Sequence, residues 1–308
     1  MFQVASHPAA FQLREHSSRR ASSSSHSHSH SYDRPASRAQ SSNPALQLPR
    51  NLSRPAFTDI SRDALAAAAP DLVPVPSEFI RHGLLAKSSS MQAECPSHLN
   101  VPLTAGSAGV LPSYPTHVLA ISASPSKSSH GHGGGDASLF PVHAVVLAAH
   151  CAKLPPLPPA PVSSHSTLTL PVLPINLPSP PAFAILHAWM YTGRLDAALG
   201  SLLPLPAPFL ATLSSASSSS RSSSRSHGGP SAHDVVLQTL RNPSAMHPLQ
   251  HHLFSASGGN VATLLNHAAH VKELWQDMVA LGVYDPALWD ALDLAWEVVL
   301  GGMGRAAA

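Results

Sequence analysis

Charge is scarce in this chain: Asp, Glu, Lys and Arg make up only 11% of 308 residues, and the net charge is +2 at pH 7. A protein that binds nucleic acid through its phosphates needs a basic stripe, and no predicted helix carries one, so direct nucleic-acid binding is not expected. The 21 histidines are scattered and form no such stripe either. Cysteine is scarcer still. Cys95 and Cys151 alone cannot build a disulfide framework or a four-ligand zinc site, and they read as small buried or half-buried thiols. No apolar run approaches the roughly 20 residues of a bilayer-spanning helix. The opening MFQVASHPAAFQLREHSS lacks the apolar centre of a signal peptide. The expectation is a soluble protein without membrane contact, residing in the nucleus, the cytoplasm or both.

Catalytic signatures are also missing. The chain has no G-x-S-x-G elbow, no H-E-x-x-H, no Cys-x-x-Cys and no Walker A. The glycine loop GHGGGD lacks the lysine and hydroxyl that a phosphate site would require. His143 and His150 would share a helical face but lack a third ligand, and His267 and His270 read as the polar flank of a packed helix. Asp285 reads as a helix cap, with Asp290, Asp293 and Glu297 on the wet face of that helix. No enzyme, metal site or cofactor is expected.

Proline and serine are abundant, and they set the organisation. There are 31 prolines, and Ser-rich tracts interrupt the apolar material, which grows dense only toward the C-terminus. Residues 1–56 read as a disordered tail; it includes the alternating His26, His28 and His30, which could at most hold a metal ion loosely. An α+β core is expected over 57–213. Ser61 caps a helix in SRDALAAAA, Ser77 caps SEFIRHGLLA, and THVLAIS and LFPVHAVV form a strand pair around a flexible loop near 123–137. CAKLPPLPPAPV is a stiff connector, and LTLPVLPINLP is extended. A helix runs from Pro181 to Tyr191, with Gly193 as its stop. A Ser-rich disordered insert spans 214–232, and 233–302 forms a helical C-terminal part.

That last part has the clearest periodicity. Val261, Leu264, Leu265, Ala268, Val271, Trp275, Met278 and Val279 recur at helical steps, between Asn260 as cap and Gly282 as stop. Asp285-Pro286 then opens a second helix carrying Leu288, Trp289, Leu292, Trp296, Val299 and Leu300, which Gly301-Gly302 should end. A short link makes the pair an antiparallel hairpin. Trp275, Trp289 and Trp296 are the candidate partner-binding residues, because tryptophan dominates binding hot spots. Core packing is the competing role for each of them.

Two resemblances bear on fold and function. LFPVHAVVLAA resembles the second strand of a BTB/POZ domain, THVLAIS the strand before it, and PAFAILHAWMYTGRL its later helix ending in Tyr-Thr-Gly. The chain departs from that pattern where CAKLPPLPPAP replaces a regular helix. The blocks FPVHAVVLAAHCAKLPPLP, LTLPVLPINLPSPPAFAILHAWMYTGRLDAAL and HAAHVKELWQDMVALGVYDPALWDALDLAWEVVL are similar to the clampless family of developmental regulators in mushroom-forming fungi. That resemblance implies a regulator of sexual development, needed for clamp cells in the dikaryon, downstream of the homeodomain mating-type pathway. The fold expected is therefore α+β: a divergent BTB/POZ-like core, a C-terminal helical hairpin, and a disordered N-terminus and inserts. The expected action is protein–protein recognition of transcription factors, cell-cycle regulators or a second copy of the chain. The alternative is a BTB-type substrate adaptor of a cullin ubiquitin ligase.

Overall fold

The computed structural model describes residues 48–93, 114–123, 137–159, 170–222 and 229–307. Residues 51–308 belong to one compact unit. The expectations for the tail before residue 48, for His26, His28, His30 and Cys95, and for the loop at 124–136 lie outside the described residues.

Helix α1 (Arg62–Ala68) starts where expected, with the Ser61 hydroxyl accepting from the Ala64 amide at 3.2 Å. A single 3-10 turn (Pro70–Leu72) leads to α2 (Ser77–Ala93), which is longer than its sequence pattern suggests. Ser77 does not cap α2. Its hydroxyl lies inside the first turn and accepts from Arg81 Nη2, and the Pro76 carbonyl opens the helix. Ile80, Leu84 and Met91 are buried, whereas Phe79 is 70% exposed despite its place in the apolar pattern.

Strand β1 (His117–Ala123) and β2 (Ser138–Val142) pair antiparallel, from His117 with Val142 to Ile121 with Ser138. The second strand ends earlier than predicted. The following AVVLAAH forms helix α3 (Ala144–His150), and all seven of its residues are buried. Val145 and Val146 favour strand by local preference, but a fully enclosed site overrides that weak prior. The proline connector returns the chain to β3 (Val172–Leu177), which lies parallel to β1 and completes a sheet of order β2-β1-β3.

Helix α4 (Pro180–Thr192) runs where expected, with Gly193 at φ +61 as its left-handed stop, and the structure adds Ser179 as cap before prolines in the first turn. Then follow α5 (Leu195–Leu202) and α6 (Ala207–Ser222). Helix α6 runs through the first part of the segment expected to be a disordered insert. Leu213 and Ala216 are buried there, and the Ser215 and Ser217 hydroxyls bond back to carbonyls four residues earlier, which satisfies them within the helix. Helix α7 (Ala232–Arg241) opens with a Ser231/Asp234 capping box, and Asn242 caps α8 (Pro243–Ala256).

The hairpin of α9 (Val261–Leu281) and α10 (Pro286–Ala306) forms as expected, with Asn260 and Asp285 as caps and Gly282 as stop. Gly301 and Gly302, however, do not end α10. A Cβ at Gly301 would lie 2.1 Å from Gln250 Cδ, so the glycines instead let α10 approach α8 closely. The whole is a mixed α+β fold, mostly helical, with a small three-stranded sheet.

Candidate functional site

The three candidate tryptophans sit on the hairpin, and all are buried. Exposure is 5% for Trp275, 0% for Trp289 and 2% for Trp296. A partner anchor must be reachable, so in this conformation these residues are core rather than contact surface. The helical period that made them recognisable also turns them inward. Trp289 Nε1 donates to the Val283 carbonyl at 3.1 Å, which ties α10 to the turn before it. Trp275 differs from the others because its Nε1 donates to the Ser53 carbonyl at 2.9 Å. That acceptor lies 222 residues away, in a segment read from sequence as tail.

Residues 52–60 form a strap without regular secondary structure. Leu52 and Ile60 are its buried ends. Between them, Arg54 reaches α10, where Nη2 meets Asp290 Oδ1 at 2.5 Å and also binds Asp293. Its Nε donates to Asp293 Oδ2 at 3.1 Å. His233 from α7 contacts the other oxygen of Asp290 at 2.6 Å. The Phe57 ring stands edge-on to Tyr284, with centroids 4.8 Å apart. Burial works to raise the Asp290 carboxyl, but the bonds from His233 and Arg54 outweigh it and hold it below the ordinary range. Burial wins at Asp293, which is raised although Arg54 opposes the shift. Asp290 and Asp293 are thus not a plain wet face. They receive the strap, and only chain folding over more than 200 residues brings these groups together.

A second joint links the two halves of the unit. After α3, Cys151 bridges to Val283, the Ala152 amide donates to the Gly282 carbonyl at 3.2 Å, and the Lys153 amide donates to the Leu281 carbonyl at 3.0 Å. Lys153 Nζ adds a bond to the Val279 carbonyl at 3.0 Å. Arg81 reaches the same turn, donating to the Tyr284 carbonyl at 3.2 Å.

Nearby, α9 presents two carboxylates to the start of α4. Glu273 accepts from the Ser179 hydroxyl at 2.8 Å, and Asp277 Oδ1 accepts from the Ser179 amide at 3.3 Å. Asp277 is fully buried, and its Oδ2 has no partner among the described residues. Burial, helped by the charge of Glu273, pushes its carboxyl up to about 8, against the opposing Ser179 bond. Between the ordinary aspartate range and about pH 8 the folded protein therefore keeps a proton that the unfolded chain has released. Stability falls as pH rises through that window and levels off above it. Asp277→Asn should flatten this slope, so that the variant matches or exceeds the natural protein at pH 8 and gains least at pH 5. Thermal denaturation at both pH values checks it; parallel slopes would remove Asp277 as the cause.

The remaining polar side chains do structural work. The Tyr191 hydroxyl accepts from the His143 amide at 2.9 Å and lies 2.9 Å from His143 Nδ1. His187 Nε2 lies 3.1 Å from the Pro141 carbonyl, and burial lowers its pKa. His150 is enclosed against Trp189, and burial drives its pKa down to about 3, so it stays neutral. Burial pushes the Cys151 thiol up to about 12, which removes it as a nucleophile near neutral pH. No group of three His, Cys, Asp or Glu among the described residues could hold a metal ion. A shallow cleft between α6 and α7, lined by Thr212, Ser215 and Val235 among others, carries no ionisable side chain. No described helix is long and apolar enough to cross a membrane.

Two family models match the chain in succession. The Clampless protein 1 N-terminal domain matches residues 55–178, and the Clampless protein 1 C-terminal domain matches residues 196–308. No curated protein matches, and no solved structure matches. The joint at 151–153 and 279–283 therefore connects one matched domain to the other.

Proposed function

Because the chain belongs to the clampless family, we propose that it serves fungal sexual development, in clamp cell formation, as a non-enzymatic protein that captures other proteins. The observation that carries this reading is the match of both family domains, one after the other, over residues 55–178 and 196–308. The geometry agrees with a binding role. Among the described residues, Arg54, Arg81, Lys153, Asp285, Asp290 and Asp293 are engaged as caps, joints and ion pairs rather than gathered in a cleft, and catalysis needs convergent groups. The partners we propose are transcription factors or cell-cycle regulators, met in the nucleus.

The test is deletion of the gene in a compatible mating pair, scoring clamp cells by microscopy. Loss of clamps, restored by residues 48–308, is the expected result. Normal clamps in the deletion strain, with no paralogue present, would overturn the developmental role. Cross-linked capture that recovers no nuclear protein would overturn the mechanism.

A second reading keeps a BTB-like core. It is favoured by the sheet order β2-β1-β3, with a parallel third strand leading into a helix that ends Tyr191-Thr192-Gly193. On this reading the protein adapts substrates to a cullin ligase, and a cullin should co-purify with the full chain.

A further inference from the structure

The strap is unusual in how it is held. Its residues between Leu52 and Ile60 have no ladder or helix of their own, and Ser53, Arg54 and 56–59 are all exposed. What fastens it near Leu52 is one carbonyl and one guanidinium: the Ser53 carbonyl takes the Trp275 indole, and Arg54 spans Asp290 and Asp293. Ser53 is itself exposed, and its hydroxyl makes no hydrogen bond among the described residues. The local sequence is PRNLSRP, with Arg50 three residues before the serine and Arg54 directly after it. A solvent-facing segment free of helix and ladder, with arginine at that spacing, has the access and charge that an acidic kinase cleft accepts.

We propose that Ser53 is a phosphoacceptor for an arginine-directed protein kinase, and that its phosphorylation lifts the strap from α9 and α10 and uncovers Trp275. In the transfer, Ser53 Oγ attacks the γ-phosphorus of ATP and the bond from that phosphorus to the β–γ bridging oxygen breaks. ADP leaves, and the hydroxyl proton passes to the carboxylate base of the kinase. The product carries a charge of about −1.5 to −2 on the residue next to Arg54, whose guanidinium spans two carboxylates. It also competes for the neighbouring Arg54, because phosphate is a better partner for guanidinium than a shared carboxylate. Repulsion from Asp290 and Asp293 and loss of their cation act in the same direction. The Trp275–Ser53 bond is then the remaining polar tie beside the buried Leu52 side chain, and one hydrogen bond of this kind contributes only about 1 kcal/mol.

The experiment uses the full chain, ATP, Mg²⁺ and the catalytic subunit of cyclic-AMP-dependent protein kinase as probe. Phosphorylated serines are mapped by tandem mass spectrometry. Chymotryptic cleavage after Phe57 and the emission maximum of Trp275 are then measured before and after the reaction. The expected result is phosphate on Ser53, cleavage about ten-fold faster, and a red shift that vanishes in Trp275→Phe. Ser53→Ala, treated identically, should show neither change even though other serines accept phosphate. Ser53→Glu, without kinase, should show part of the effect. Asp290→Asn/Asp293→Asn removes the repulsion and the Arg54 anchor together, so cleavage should start faster and respond less to phosphorylation. Phosphate on Ser53 with unchanged cleavage and emission would overturn the release. An unmodified Ser53, whether or not a free peptide of residues 47–58 is phosphorylated, would overturn the site.

Discussion

Trp289→Ala should lower the unfolding free energy by about 4 kcal/mol, within the range for truncating an enclosed aromatic residue. The indole has no exposed surface, and it belongs to the part of α10 that faces the body together with Leu288, Leu292 and Trp296. Removing it leaves a cavity that the packed surroundings can only partly close. It also deprives the Val283 carbonyl of its donor, and a buried acceptor left without a partner carries a penalty of its own. Val283 is the residue that bridges to Cys151, so the damage reaches the joint between the two matched domains. Trp289→Phe keeps most of the ring volume and loses the donor, so its cost should be smaller, roughly 1–2 kcal/mol. Urea titration followed by far-ultraviolet circular dichroism measures both. A loss below about 1 kcal/mol for the alanine variant would mean that the indole is not packed as described. The comparison also separates core from contact residue: a partner anchor would cost binding while leaving the urea midpoint in place.

The parts of the fold that could be read from sequence are those whose signals are local. Asn260, Gly282, Asp285 and Pro286 mark the ends of α9 and α10 within a few residues of the helices they bound, and the structure places the ends there. Gly193 does the same for the end of α4. The β1–β2 pair was legible because the alternation and the intervening loop lie in one stretch of chain. Local signals failed where tertiary contact decides. Gly301-Gly302 reads as a stop until Gln250 of α8 is seen against it. Ala144, Val145 and Val146 read as the end of a strand until their enclosure in a helix is known. The strap was least legible of all. Nothing near Arg54 in sequence announces Asp290, 236 residues on, and composition alone assigned the segment to the tail. The family blocks, by contrast, were visible, because they depend on residue identity rather than on geometry.

Gly282→Ala is expected to cost about 3 kcal/mol, and two separate causes add up to that figure. Gly282 has φ +67, where an L-residue carries a strain of roughly 1–2 kcal/mol. A Cβ there would also stand 2.8 Å from Lys153 Cγ and 3.2 Å from the Lys153 amide nitrogen. The side chain can swing aside, but the amide is fixed by its bond to the Leu281 carbonyl, so the intruding methyl pushes on the joint itself. Gly258 provides the control. Its φ is +60, yet nothing lies within 4 Å of the Cβ position, so Gly258→Ala should show the backbone strain alone. At roughly 2–4 °C per kcal/mol for a domain of this size, Gly282→Ala should melt about 6–12 °C lower and Gly258→Ala about half as far. Equal shifts at the two glycines would show that the 151–153 segment yields without cost. Unequal shifts, with Gly282→Ala the larger, would assign the excess to the contact with the 151–153 backbone. The methyl group would then be acting on a short stretch where the backbone of the N-terminal matched domain bonds to the α9–α10 turn of the C-terminal one, and the melting temperature would report how firmly that stretch holds the two domains as a single body.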